Sequence, residues 1–216
     1  MHSVSRLFDL VSAPTAQSSS SLSTVGRSER LLLATLGLAC AMVFAALWGL
    51  AASSASLSAA CANAFKVPML LVVSGAVALP VVLLFCRLVA PGVAAGVDLL
   101  VGYAVAVFGG TLVLAVLAPL VALYQHSSSF IGPRAALASV VLAVMAGCAI
   151  FVRALGRLVG PGGRRSLYLP VAAMVLVQLA ALAQLASVVG PVFPTRTAFG
   201  RGIDGVSHLV DTEEAR

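Results

Sequence analysis

Charge is what this chain has least of. Only 9% of its residues are Asp, Glu, Lys or Arg, against about 25% in a soluble domain. That leaves too few charged side chains to solvate a globular surface. Metal-ligating pairs are missing too. The four cysteines, Cys40, Cys61, Cys86 and Cys148, are scattered, with no C-x-x-C and no nearby histidine pair. Three of them fall in apolar runs, where a thiol behaves as a small hydrophobe, so neither a disulfide framework nor a zinc site is expected. There is no G-x-S-x-G, no H-E-x-x-H, no Walker loop and no paired intramembrane aspartates, each of which would carry a specific chemistry. The chain is therefore expected to be no enzyme and to hold no cofactor or metal. The first thirty residues lack a continuous apolar h-region, so no signal peptide is expected.

What is present is apolar. Hydrophobic residues make up 61% of the chain, and the mean hydropathy of +1.09 belongs to membrane proteins. Five apolar runs stand out: Leu31 to Ala52, Val67 to Ala90, Leu99 to Tyr124, Ala135 to about Val152, and Leu167 to about Pro191. Each approaches the roughly 20 residues that a helix needs to cross hydrocarbon. The segments between them, "SSASLSAACAN", "PGVAAGVD", "QHSSSFIGPR" and "GRLVGPGGRR", read as turns. The expected fold is all-α, a polytopic transmembrane bundle of five spans over residues 31–192. Residues 1–30 form a cytoplasmic N-terminal segment and 193–216 a polar tail. Within the first segment Val4, Leu7, Phe8 and Val11 lie at helical spacing. They make either a short helix in the headgroup plane or a chance pattern in a tail, followed by the Ser-rich linker "QSSSSLSTVGRSER".

Arginine placement sets the expected orientation. With the N-terminus inside, the cytoplasmic face receives Arg6, Arg27, Arg30, Arg87, Arg153, Arg157, Arg164 and Arg165. The outer face receives Lys66, Arg134, Arg196, Arg201 and Arg216. The predicted topology is N-terminus in, C-terminus out. Arg153, Arg157, Arg164 and Arg165 are either this ordinary signal or a patch for anionic lipid or an acidic partner; nucleic acid is not expected.

Polar residues, glycines and prolines within the spans are the remaining candidates. Pro80 should kink the second span, because it removes a backbone donor in mid-helix. Gly75 to Val77 are then expected to face protein, with Ser74 or Gln178 donating to the freed Ala76 carbonyl. Pro68 is expected in the first helical turn, where its missing N–H costs nothing. Ser74 and Gly75 offer close approach to another helix, as do Gly109 and Gly110 in the third span. Gln178 and Gln184 in the fifth span read as interhelical hydrogen-bond partners or as part of a substrate site. Asp98 suits the positive end of the third helix, with a proton relay as the alternative.

Five spans, a cytoplasmic N-terminal segment, the "FKVPMLLVVSGAVALPVVLLF" segment and the "VLAPLVALY" end of the third span resemble the Yip family of small multi-pass membrane proteins, in a loose bacterial group. The resemblance covers roughly residues 31 to 195 and implies a helical bundle without transferable site residues. The acidic-aromatic "DLYGP" motif of eukaryotic members does not precede the first span. The expected role is a structural or accessory subunit of an assembly in the bacterial inner membrane, in contact with lipid and with a protein partner or further copies of itself. The alternative is a small transporter or channel with a polar cavity among Ser74, Asp98, Tyr103, Gln178 and Gln184.

Overall fold

The computed structural model describes residues 26–53, 57–89, 96–127, 130–159 and 168–189. They form five helices and, among the described residues, no strand: α1 (Arg27–Ala51), α2 (Leu57–Val89), α3 (Gly96–Ser127), α4 (Ile131–Val159) and α5 (Tyr168–Val189). The candidate amphipathic helix, the Ser-rich linker up to residue 25 and the polar tail lie outside the described residues. Four helices are long and apolar enough to cross a membrane. On α5 the described apolar segment is the shorter Val171–Ala180.

The helices overrun the apolar runs at their ends. α1 opens at Gly26, whose carbonyl accepts from the Arg30 N–H at 3.1 Å. Glu29 in the first turn suits the helix dipole. α4 runs on through Arg153 to Val159, because an exposed arginine can continue a helix past hydrocarbon into the headgroups. α2 starts at Leu57, so the Ala-rich "LSAACAN" that reads as a turn is helical; alanine is the strongest helix former. This corrects the expectation for Pro68, which sits well inside α2 and not in its first turn. Its missing N–H therefore removes a bond to the Ala64 carbonyl. Gly49 of α1 packs against this same turn: a Cβ there would come within 2.5 Å of the Asn63 carbonyl oxygen.

α1 and α3 run parallel, with α2 and α4 antiparallel to them. Arg30 meets Asp98 at one end of the bundle, and Trp48 meets Ser139 at the other. α3 packs mainly on α4 and α1, while α2 packs on α5 and α1; the α2 and α3 backbones barely touch. α3 is the central helix, with Leu99, Val101, Ala104, Val105 and Phe108 buried on successive faces. Large apolar side chains such as Leu32, Met69, Val116, Met145 and Leu176 point outward from all five helices. An apolar surface this extensive is at home against lipid tails, not water. Over its described residues the molecule is thus all-helical, and it is a membrane-embedded protein.

The α3–α4 seam rests on small residues. Ala106 and Gly110 on α3, and Ala143 and Gly147 on α4, each lie four apart and so share a helix face. A Cβ on Gly110 would lie 2.9 Å from the Ala143 carbonyl oxygen, and one on Gly147 would lie 3.3 Å from that of Ala106. Where side chains are this small, helix backbones meet directly, and dispersion over the shared face holds them together in lipid. Gly109 is also buried, but the backbone approach falls on Gly110. Phe44 and Phe108 add a tilted ring contact between α1 and α3, with centroids 5.8 Å apart.

Candidate functional site

Buried hydroxyls in this bundle mostly bond within their own helix. The Ser74 Oγ donates to the Leu71 carbonyl at 3.1 Å. Thr111 donates to Val107 at 2.9 Å, and Ser139 to Ala136 at 2.7 Å. Such back-bonding satisfies a hydroxyl where water is absent. Ser139 does more, because its Oγ also accepts the indole N–H of Trp48 at 2.9 Å, tying α4 to α1.

Among the described residues, two buried polar atoms stand outside this pattern, the Tyr103 hydroxyl and the Gln125 Nε2, neither of which meets a partner in full hydrogen-bond geometry. Gln125 sits where the α3–α4 hairpin closes, with Gly132 against its Cα. Tyr103 is more informative. Its ring is 2% exposed and packs with Ala78, Val82, Phe151, Leu155 and Met174, which come from α2, α4 and α5. Its hydroxyl rests on Gly75 of α2, where any side chain would occupy the hydroxyl's own space. The Gln178 side chain of α5 is the polar group that faces it.

Three of the sequence candidates, Gly75, Gln178 and Tyr103, therefore converge. Ser74 is buried one residue away, but its hydroxyl is committed to Leu71 and not to Ala76. Gln184 lies further along α5, with its side chain outside the described residues. Asp98 is elsewhere: it accepts from Arg30 at 2.5 Å, with both side chains 23% exposed. It joins two helix starts at the bundle end.

Pro80 faces outward, and α2 continues on both sides of it. Only Gly75 of the expected protein-facing stretch is buried; Ala76 and Val77 are exposed. The reason is helical register. Ala76 is one turn before Pro80, so the two share a face, and that face also carries Met69, Val72 and Leu84 toward lipid.

The arginine candidates gather at the end where α1 and α3 begin. Arg153 is exposed on α4, with Arg27 and Arg87 exposed at the same end. Arg157 follows on α4 with its side chain outside the described residues, as Arg164 and Arg165 are altogether. At the opposite end the Arg134 guanidinium folds back over the Phe130 ring, 3.4 Å from its centroid.

Sequence reasoning missed the Trp48–Ser139 bond and the Gly147 half of the seam. Signals for both existed. A buried indole needs an acceptor, and the A-x-x-x-G spacing occurs in both "AVFGG" and "AVMAG". No protein family model matches this chain, and neither a curated protein nor a solved structure does, so no residue role is carried over from a relative.

Proposed function

We propose that this protein is a structural or accessory subunit of an assembly in the bacterial inner membrane, non-enzymatic and held by helix packing. The observation that carries the reading is the filled interior. Ala78, Val82, Phe108, Phe151 and Leu155 occupy the space between helices, and the α3–α4 seam closes backbone to backbone. A transport path needs polar groups lining a passage, and most buried hydroxyls here are turned back onto their own helices. The expected partner is a second membrane protein or another copy of the chain. A distant Yip-like relationship belongs to the same proposal.

In this reading α5 also crosses the membrane, placing the N-terminus in the cytoplasm and the C-terminus in the periplasm. The grouping of Arg27, Arg30, Arg87 and Arg153 at one end supports that orientation. Reporter fusions at Ala135 and after Arg216 should report periplasm, and one at Gly162 cytoplasm. A cytoplasmic C-terminal reporter would remove α5 as a span.

The role itself is tested by reconstitution beside native electrophoresis. In proteoliposomes the pure protein should leave permeability to small ions and metabolites unchanged. In gently solubilised native membranes it should migrate as a complex larger than the monomer. Saturable uptake by the pure protein, or a solely monomeric band, would overturn the accessory role.

A further inference from the structure

The lipid-facing side of α2 carries Val77, Pro80, Leu84 and Arg87, all exposed. Their spacings of three and four residues put them on one helix face. α4 repeats the pattern with Leu142, Met145, Ala149 and Arg153, again all exposed and again on one face. Each stripe is apolar and ends in an arginine, at the same end of the bundle. Val77 and Arg87 are ten residues apart, Leu142 and Arg153 eleven. At about 1.5 Å per residue each stripe is about 15 Å long, half of a hydrocarbon core of about 30 Å. Both arginines therefore stand at the headgroup level of one leaflet, with one leaflet's depth of apolar surface leading to them. Little nearby neutralises them. Among the described residues the carboxylates are Glu29 and Asp98, and Asp98 is bonded to Arg30. Arg27 is exposed at the same end and adds to the positive field. The opposite end differs, because the Arg134 guanidinium is folded onto Phe130 and donates to that residue's carbonyl at 2.9 Å.

We propose that Arg87 and Arg153 each seat an anionic phospholipid, with the phosphate on the guanidinium and an acyl chain along the stripe. A guanidinium presents a planar fork of N–H donors that matches two phosphate oxygens. Anionic headgroups are favoured over zwitterionic ones, because phosphatidylcholine brings its own cation to the phosphate, whereas phosphatidylglycerol leaves the charge for the protein. An acidic protein fits these positions less well. It would have to reach through the headgroups to arginines that continue lipid-facing stripes, while a phospholipid already carries its phosphate at that depth. The inference needs only that the bundle is embedded in a bilayer, and it holds whether or not the protein is an accessory subunit.

Native mass spectrometry of the full-length protein tests this. The protein is released from mild detergent in the presence of equal amounts of phosphatidylglycerol and phosphatidylcholine with matched chains. The parental protein should bind phosphatidylglycerol several-fold in preference. Arg87→Gln and Arg153→Gln should each weaken binding at the affected seat by roughly five-fold, and the double variant should take up the two lipids almost equally. Arg134→Gln, at the other end, should behave as the parent. Millimolar glycerol phosphate, the headgroup without its chains, should displace no lipid. Equal uptake of both lipids by the parent, or an undiminished preference in the double variant, would overturn the proposal. So would an Arg134→Gln loss as large as the others, which would reduce the effect to general attraction by positive charge. Displacement by glycerol phosphate would overturn the seat along the stripe and leave a site for soluble phosphates. A glutamine variant that unfolds shows itself by high charge states. Arg87→Lys with Arg153→Lys then decides, since the charges stay and the forks are lost: a reduced preference supports the proposal and an unchanged one overturns it.

Discussion

Gly110 of α3 and Gly147 of α4 face each other with no side chain between them, their Cα atoms flanked by the carbonyls of Ala143 and Ala106. A Cβ on Gly110 would press on backbone that cannot rotate away, whereas one on Gly147 meets a looser contact at 3.3 Å. Gly110→Leu should therefore destabilise the bundle by about 1–3 kcal/mol through overpacking, and Gly147→Ala by less. Thermal unfolding in detergent, followed by the fluorescence of the single tryptophan, measures both. An unchanged midpoint for Gly110→Leu would mean that the seam does not exist.

Ser139→Ala tests the α1–α4 tie. It leaves the indole N–H of Trp48 buried without its acceptor, which costs about 1–3 kcal/mol. In a Trp48→Phe background the donor is already gone, so adding Ser139→Ala should cost far less than it does alone. Equal costs in both backgrounds would show that the hydrogen bond contributes nothing.

The Arg30–Asp98 pair is short but partly open to the headgroup region. Exposed pairs contribute little, about 0–1 kcal/mol, and salt weakens them. Asp98→Asn should lower the unfolding midpoint slightly at low salt, and the difference should shrink at high salt. A large, salt-independent loss would show instead that the pair is a main structural tie between α1 and α3.

Pro80 lies on the lipid-facing side of α2, where no neighbouring helix depends on its ring. Pro80→Ala restores an N–H that can bond to the Ala76 carbonyl, a gain of about 0.5–1.5 kcal/mol. The expected outcome is an unchanged or raised midpoint with normal membrane insertion. A marked loss of assembly would instead show that Pro80 itself matters to a partner.

Membrane embedding and the helical class were legible from composition and hydropathy alone. Hydrocarbon leaves backbone groups no partner but the helix itself, so a long uncharged run has one available structure. Helix ends were less legible. Alanine and arginine let α2 and α4 extend past the apolar runs, and hydropathy does not register that. Gly75 and Gln178 were recognisable as unusual residues in apolar surroundings, yet nothing local paired them with Tyr103.

Tertiary structure decided which face of each helix meets protein. In water an amphipathic stripe announces the buried face. In lipid both faces are apolar, and the first half of α3 shows this most plainly, being buried on nearly every side from Leu99 to Thr111 with no polar face to orient it. Gly110 forms the seam by a rotation of about 100° from its neighbour Gly109, and Ala76 turns to lipid by the same step from Gly75. Trp48 with Ser139, and Arg30 with Asp98, are far apart along the chain. The amino-acid sequence determined that helices form and cross the membrane, because local backbone chemistry dictates it. The pairing of those helices was left to tertiary packing, because between two apolar surfaces only close steric fit and a few polar bonds distinguish one arrangement from another.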